Sequence, residues 1–85
     1  MKATLIDKII EMFPEEEFLL ADELNEAIIG VDEMSMRIIY SYRICLEILE
    51  DKYGMSEEEA VDYFSYNISG GYVGEKTPIW CYDYF

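Results

Sequence analysis

The sequence predicts an α+β domain in which three to four short helices pack on a small sheet. Three observations support this fold class: apolar residues recur at helical spacing in several segments, two β-branched runs lie between them, and the C-terminal segment is aromatic. We expect one domain spanning residues 1–85, because a chain of this length forms a single core. An all-helical bundle with an extended tail is the alternative.

The first predicted helix spans residues 4–13. Its apolar residues fall on one stripe, and Thr4 is expected to cap the first turn with Asp7 three positions later. Pro14 ends this helix, because proline disfavours helical geometry in the residue before it. Pro14 followed by three acids is also typical of a new helix start, so we expect a second helix over residues 14–26.

Two β-favouring runs follow the predicted second helix. Residues 27–31 form the first run, and we favour a strand here over a continuation of the helix. Residues 37–40 form the second run. The two runs are expected to pair as a hairpin across residues 32–36.

A third helix is expected to begin after Ser41, which can accept a hydrogen bond from the first turn. Its apolar stripe includes Cys45, which we expect to be buried as a small hydrophobic residue. The helix should end near Gly54, because glycine commonly follows the last helical residue.

The clearest local signal is the capping box of Ser56 and Glu59, which predicts the start of a further helix. Phe64 lies on the apolar stripe of this helix and should face the core. The glycines at residues 70–71 are expected to end it. The tail, residues 72–85, is aromatic and β-favouring, and we expect it to supply a strand of the sheet.

Acidic residues dominate the charge of the chain, with 19 Asp and Glu against six Lys and Arg and a formal net charge of −13. Direct binding to nucleic acid or to an anionic membrane is therefore not expected, because phosphate groups are bound by Lys and Arg. The sequence contains no apolar run long enough to span a membrane and no pattern typical of a signal peptide. With only two cysteines, these features predict a cytoplasmic location.

Several catalytic groups are missing from the sequence. Histidine is absent, which excludes His-based acid–base catalysis and any Ser-His-Asp or Cys-His arrangement within the chain. Cys45 and Cys81 cannot complete a four-ligand zinc site without histidine. The acidic runs at residues 15–17 and 57–59 lack the alternating oxygen ligands of a calcium loop. We therefore predict a non-enzymatic protein with no catalytic residue, no metal and no cofactor.

The acidic residues fall into two clusters along the chain. Nine acids and no base lie between Lys8 and Arg37, and six acids lie within residues 50–62. If the clusters share a face, their carboxylates could take the place of duplex phosphates in a partner's nucleic-acid groove; the alternative is a solvated polar face that only keeps the protein soluble. The residues predicted to contact a partner are Glu15, Glu16, Glu17, Glu23, Glu57 and Glu58.

The aromatic tail is the second candidate surface. Trp80, Tyr82 and Tyr84 alternate in the sequence, which would place their rings on one face of a strand. This face either covers the helices, as we expect, or forms an exposed binding patch. An edge strand at this position could also pair with a second copy of the chain.

Four short motifs lie in the second half of the chain. They are Tyr40-Ser41 before a helix, GMSEEEA at residues 54–60, YNI at residues 66–68 and GEKTPI at residues 74–79. In this combination, residues 40–80 resemble a family of small acidic proteins of unknown function from bacteriophages, prophages and bacterial genomes. The resemblance covers about half of the chain. It implies a phage-like, cytoplasmic setting and supplies no catalytic residue.

These observations lead to one main hypothesis and two alternatives. The main hypothesis is a non-enzymatic, phage-like accessory protein that binds a host protein through its acidic surface. In its sharper form the protein is an anti-defence inhibitor that mimics nucleic acid, and the partner is a nucleic-acid-binding protein. The first alternative is a structural or assembly module that forms a homodimer through the aromatic tail. The second is an enzyme that uses carboxylates and a metal ion.

Overall fold

Helices pack on one three-stranded sheet in a computed structural model that describes residues 4–71 and 74–83, except for the side chain of Asp22. The α+β class predicted from the sequence is confirmed, because both helices and a mixed sheet are present. In chain order, the elements are α1 (Leu5–Met12), a 3₁₀ helix (Asp22–Ala27), β1 (Ile28–Asp32), β2 (Arg37–Ser41), α2 (Tyr42–Tyr53), α3 (Glu57–Tyr63), a π-helical turn (Phe64–Ile68) and β3 (Ile79–Cys81).

The sheet has the strand order β1-β2-β3, so β2 is central. β1 and β2 form an antiparallel hairpin in which Asp32 lies opposite Arg37. β3 runs parallel to β2 and places Trp80 beside Tyr40. A parallel pair needs a long crossover connection, which α2, α3 and the π-helical turn provide here. The central position of β2 accounts for the complete burial of Ile38 and Tyr40.

The turn of the hairpin is held by a side chain within it. The Asp32 carboxylate accepts hydrogen bonds from the Ser35 amide at 3.2 Å and from the Ser35 hydroxyl at 2.6 Å. The hydroxyl bond is the main reason that the pKa of Asp32 lies below its ordinary value, although burial acts in the opposite direction. Met36 completes the turn in the left-handed region, with a φ of 55°. The hairpin predicted across residues 32–36 is therefore present.

Capping boxes start two of the helices, as the sequence predicts. At α1, the Thr4 hydroxyl accepts from the Asp7 amide, and the Thr4 amide donates to the Asp7 carboxylate. At α3, Ser56 and Glu59 exchange the same pair of bonds. Each box provides partners for amides at a helix start that have no acceptor within the helix.

Helix α2 also begins and ends where the sequence predicts. The Ser41 hydroxyl accepts a hydrogen bond from the Ile44 amide at 3.0 Å, and Gly54 ends the helix in the left-handed conformation with a φ of 66°. The inward face of α2 contains Cys45, which is completely buried. Burial is the main cause that raises the pKa of the Cys45 thiol to about 12, and the charge of Asp83 adds to the effect.

The predicted helix over residues 14–26 is wrong along most of its length. After a turn at Pro14, the chain runs without regular structure to residue 21 and only then enters the 3₁₀ helix. Phe18 and Leu20 pack against the core, whereas Leu19 between them is exposed. On an α-helix Phe18 and Leu20 would point about 200° apart, so an extended chain lets both reach the core where a helix would not.

A bond from the sheet holds this extended segment in place. The hydroxyl of Tyr40, on the central strand, accepts a hydrogen bond from the Ala21 amide at 2.7 Å. The Ala21 carbonyl then accepts from the Leu24 amide at 2.8 Å, which begins the 3₁₀ helix. The segment is therefore shaped by a contact with a residue far along the chain, and local helix signals are overridden.

Helix α3 continues as a π-helical turn and ends at Ile68, close to the glycines expected to end it. The Ser69 amide donates to the Phe64 carbonyl at 2.9 Å, which is the wider hydrogen-bonding pattern of a π turn. Phe64 is completely buried, as expected, and its ring contacts Tyr42 edge-on at a centroid distance of 4.8 Å.

Candidate functional site

The six glutamates predicted to contact a partner are all exposed, and they lie in three parts of the structure. The loop after α1 contains Glu15, Glu16 and Glu17. The 3₁₀ helix contains Glu23, and the first turn of α3 contains Glu57 and Glu58.

The loop after α1 has one of its three glutamates neutralised. The Lys76 ammonium forms an ion pair with the Glu16 carboxylate at 2.9 Å and lies 6.0 Å from the centre of the Phe18 ring. Glu15 and Glu17 form no ion pair or hydrogen bond with the described residues. The loop therefore presents two unpaired carboxylates beside an internal ion pair.

The first turn of α3 presents another pair of free carboxylates. Glu57 and Glu58 are exposed and, unlike Glu59 in the capping box, bond to no described side chain. Both border a shallow surface depression that Val61 and Asp62 complete. Their position at the positive end of the helix dipole stabilises the negative charge.

The two clusters have different surroundings. The loop borders a depression formed with Glu75 and Lys76, whereas the glutamates at the start of α3 border residues of their own helix. These two sets of lining residues have no member in common. The two groups of glutamates, which form the two acidic patches, therefore border different depressions within the part of the chain that the structure describes.

Four of the five described basic residues bond to groups other than the free carboxylates of these patches. Arg37 donates to the backbone carbonyls of Thr77 and Pro78, next to β3. Within residues 4–71 and 74–83, Lys8 is the one basic residue without an ion pair or hydrogen bond. The ion pairs are Arg43–Glu47, Lys52–Glu26 and Lys76–Glu16.

The aromatic residues of the tail contact rings of the core. Trp80 is half-buried and meets Phe64 edge-on, with centroids 5.3 Å apart. Tyr82, just after β3, stacks on Tyr42 with centroids 4.2 Å apart and planes at 10°, and half of its surface remains exposed. Tyr84 lies outside the described residues.

A cavity that the sequence analysis missed opens where the 3₁₀ helix, α2 and α3 meet. Its volume is about 340 Å³. Leu24 and Leu49 are buried residues at its base, while Tyr53 and Tyr63 are about half exposed. Glu23 also lines the cavity, so one of the predicted contact residues stands at an aromatic and apolar opening.

The Glu23 carboxylate is held by a neutral donor. The Tyr53 hydroxyl donates to it at 2.6 Å. This bond is the main cause of a raised pKa for Tyr53, followed by burial and by the charges of Glu23 and Tyr63. The Lys52–Glu26 ion pair joins the same two elements. Glu23 therefore bonds to a neutral group, whereas Glu26 pairs with a cation.

A second cavity of about 340 Å³ adjoins the first and shares Ala21, Leu24 and Ile68 with it. Its other lining residues are mainly apolar and include Trp80. Asn67 also lines it, but the Asn67 amide donates to the Tyr63 carbonyl on its own helix at 3.3 Å. The π-helical turn thus borders both cavities.

Comparisons with known proteins find no matching family model, no matching curated protein and no matching solved structure. The resemblance of residues 40–80 to small acidic phage proteins therefore stays a hypothesis that depends on its motifs alone. Among residues 4–71 and 74–83, no helix combines the length and the apolar character needed to cross a bilayer. In the same residues, no three acidic or cysteine side chains converge as a metal-binding group.

Proposed function

We propose that this protein is a non-enzymatic binding domain whose acidic surface takes a basic protein partner. One observation carries the proposal: Glu15, Glu17, Glu57 and Glu58 are exposed, and none of the described basic residues pairs with them. The surface therefore keeps a strong negative potential close to these carboxylates. The absence of histidine supports a binding role over catalysis.

The physical role of such a surface is to attract and orient a partner. A negative field raises the rate at which a basic protein associates, and it disfavours acidic competitors. The attraction between exposed charges is screened within about 8 Å at physiological ionic strength. Binding through this surface should therefore weaken steeply as salt is added.

The sharper form of the proposal is a phage-like, cytoplasmic anti-defence inhibitor. Its partner is a host protein that binds nucleic acid, and carboxylates on the two acidic patches occupy positions that phosphates otherwise fill. The net charge of −13 and the motif resemblance of residues 40–80 support this form. It requires that added duplex DNA releases the partner, because both would compete for the same basic groove.

A pull-down from bacterial lysate at low and at high salt tests the proposal. The test variant replaces Glu15, Glu17, Glu57 and Glu58 with glutamine. We expect the wild-type protein to capture a basic protein at low salt only, and the test variant to lose it. The matched control neutralises the same number of charges elsewhere, at Glu11, Glu33, Glu50 and Asp51.

Two outcomes of this pull-down would contradict the proposal. If the test variant and the matched control lose the partner equally, total charge and not the two acidic patches governs binding. If capture survives high salt, the contact is not electrostatic. Circular dichroism of both variants checks that the fold is intact, which we expect because the side chains replaced make no bond within the described residues.

The second candidate function is a homo-oligomeric assembly module. Among the strands that the structure describes, β3 lies at the edge of the sheet beside β2, and an unpaired edge can join a second chain. Tyr82, half exposed beside this edge, would add apolar contact area. Light scattering across a concentration series tests this candidate: a dimeric mass that salt does not alter supports it, and a monomeric mass at all concentrations rejects it.

A further inference from the structure

The cavity between the 3₁₀ helix, α2 and α3 combines three kinds of surface. Its base is apolar, formed by Leu24 and Leu49, which are 4% and 3% exposed. The rings of Tyr53 and Tyr63 also line it and are reachable from solvent. The Glu23 carboxylate supplies a negative charge. This set matches the chemistry of a long side chain with an aliphatic stem and a cationic end.

We propose that this cavity binds a single lysine or arginine side chain of a protein partner. The aliphatic stem packs on Leu24 and Leu49, and the cationic end lies against the tyrosine rings and the Glu23 carboxylate. This inference rests on the proposed function, since it requires a basic partner, and it identifies where one basic residue of that partner is recognised.

The cavity is large enough to admit one long side chain. Its volume of about 340 Å³ is at the low end of the roughly 300–1,000 Å³ that small-molecule sites occupy. The aliphatic stem of lysine or arginine gains from leaving water, and the tyrosine faces attract the cation. An acidic residue of a partner would instead be repelled by Glu23.

The charge around the cavity favours a cation over a purely apolar occupant. Tyr63 also lines a neighbouring depression that contains Glu59 and Asp62, so further carboxylates lie close to the opening. Lys52, which bonds to the 3₁₀ helix, is engaged with Glu26. Glu23 bonds to a neutral phenol, so no described cation is paired with it and its carboxylate can pair with a cationic ligand.

The carboxylate is also positioned before any ligand arrives. The hydrogen bond from Tyr53 to Glu23 is 2.6 Å long and joins α2 to the 3₁₀ helix. Because this bond limits the rotamers of both side chains, less conformational entropy is lost when a cation binds. Tyr53 thus acts as a positioning residue for Glu23, in addition to offering its ring.

Nuclear magnetic resonance titration with model peptides tests the proposal without the partner. The probes are acetyl-Gly-Lys-Gly-amide, its arginine analogue, and acetyl-Gly-norleucine-Gly-amide, which keeps an apolar chain and lacks the charge. We expect the lysine and arginine peptides to give saturable shifts at the amides of Leu24, Tyr53 and Tyr63. The norleucine peptide should give none in the same concentration range.

Two variants and a matched control locate the interaction. Glu23→Gln should raise the Kd of the lysine peptide by about 1.4- to fivefold, the range of an exposed ion pair. Tyr63→Leu keeps an apolar wall and should raise the Kd by about two- to fivefold through loss of the cation–π contact. Glu33→Gln removes the same charge from an exposed residue that lines neither the cavity nor the two acidic patches, and it should leave the Kd unchanged. Both variants alter exposed residues, so we expect folded spectra.

Several outcomes would overturn the proposal. Shifts that spread over all acidic patches without saturation would indicate non-specific attraction. If the norleucine peptide bound with the same Kd as the lysine peptide, the site would be an apolar one. If Glu23→Gln left the Kd of the lysine peptide unchanged, the Glu23 carboxylate would not contribute to binding. These failures concern the cavity alone, because the probe is a peptide and not the partner, and they do not contradict the salt-sensitive capture of a partner. Loss of that capture while the peptide still binds would instead reject the acidic-surface proposal alone.

Discussion

The Ser41 hydroxyl donates a hydrogen bond to the Asp83 carboxylate, across 42 positions of the chain. The second carboxylate oxygen of Asp83 accepts from the Arg43 amide at 3.1 Å, while Ser41 itself accepts from the Ile44 amide. Amides in the first turn of a helix lack acceptors within it. The start of α2 is therefore capped by two residues together, one local and one from the segment after β3.

Replacing Asp83 with alanine should destabilise the protein. The substitution removes the acceptor of the Arg43 amide and leaves the completely buried Ser41 hydroxyl without its partner. Loss of a helix cap costs about 0.5–2 kcal/mol, so we expect the free energy of unfolding in urea to fall by about this amount. The control is Glu33→Ala, an exposed residue whose replacement should change stability by less than about 0.5 kcal/mol.

The same cap predicts a pH dependence of stability. Burial raises the pKa of Asp83, but the bonds from Ser41 and from backbone amides lower it more, so the pKa lies below its ordinary value. The stability contributed by Asp83 is therefore present above the ordinary aspartate pKa of about 4 and is lost as the pH falls through the lower folded-state pKa.

The measurement compares urea unfolding of the wild-type protein with that of Asp83→Asn between pH 7 and pH 2. We expect the difference in unfolding free energy to shrink in the acid range, because protonated Asp83 resembles asparagine. A difference that stays constant over this range would show that the charge of Asp83 does not stabilise the cap. Relief of repulsion among the other carboxylates affects both proteins and cancels in the comparison.

Tyr40→Phe should release the extended segment that precedes the 3₁₀ helix. The change deletes the acceptor of the Ala21 amide while keeping the ring in the core. An unsatisfied buried amide costs about 1–3 kcal/mol, and because the Ala21 bond is only partly buried we expect a loss of stability near the lower end of this range, about 1 kcal/mol. Hydrogen exchange should also become faster at Ala21.

The comparison variant for this prediction is Tyr66→Phe. Tyr66 is 84% exposed, so loss of its hydroxyl should leave both stability and exchange at Ala21 unchanged. Equal effects of the two substitutions would mean that the hydroxyl of Tyr40 does not hold the segment.

The two free thiols should differ strongly in reactivity. Cys45 is completely buried and its pKa is raised to about 12, whereas Cys81 is partly exposed. The thiolate is the reactive form, so Cys45 should resist iodoacetamide at pH 8 while Cys81 is alkylated. Mass spectrometry of peptides over time measures both rates. Labelling of Cys45 as fast as Cys81 in the folded protein would contradict its burial.

Sequence reasoning located the elements whose signals lie within a few residues of one another. Ser56 and Glu59 are three positions apart, and both bonds of their capping box depend on this spacing alone. The Asp32 turn, the Ser41 cap and the end of α2 at Gly54 are similarly local. For these elements, tertiary structure reinforces what the backbone already favours.

The errors arose where distant residues decide the outcome. The segment before the 3₁₀ helix has a helix-start signal at Pro14, yet the bond from Ala21 to Tyr40 and the apolar contacts of Phe18 hold it extended. The cavity was missed because Tyr53 and Glu23 are 30 positions apart and no local pattern relates them. Exposure of the predicted glutamates could be read from the sequence, but which of them are neutralised could not.

From the parallel pairing of β2 with β3 we expect a particular order of folding. The hairpin and the helices form from contacts between near neighbours, whereas pairing Ile39 with Ile79 must close a loop of about 40 residues. We therefore expect a transition state in which β1, β2 and α2 are assembled and β3 is still unattached. Substitutions in β3 would then accelerate unfolding with little change in the folding rate, and those in the hairpin would slow folding itself.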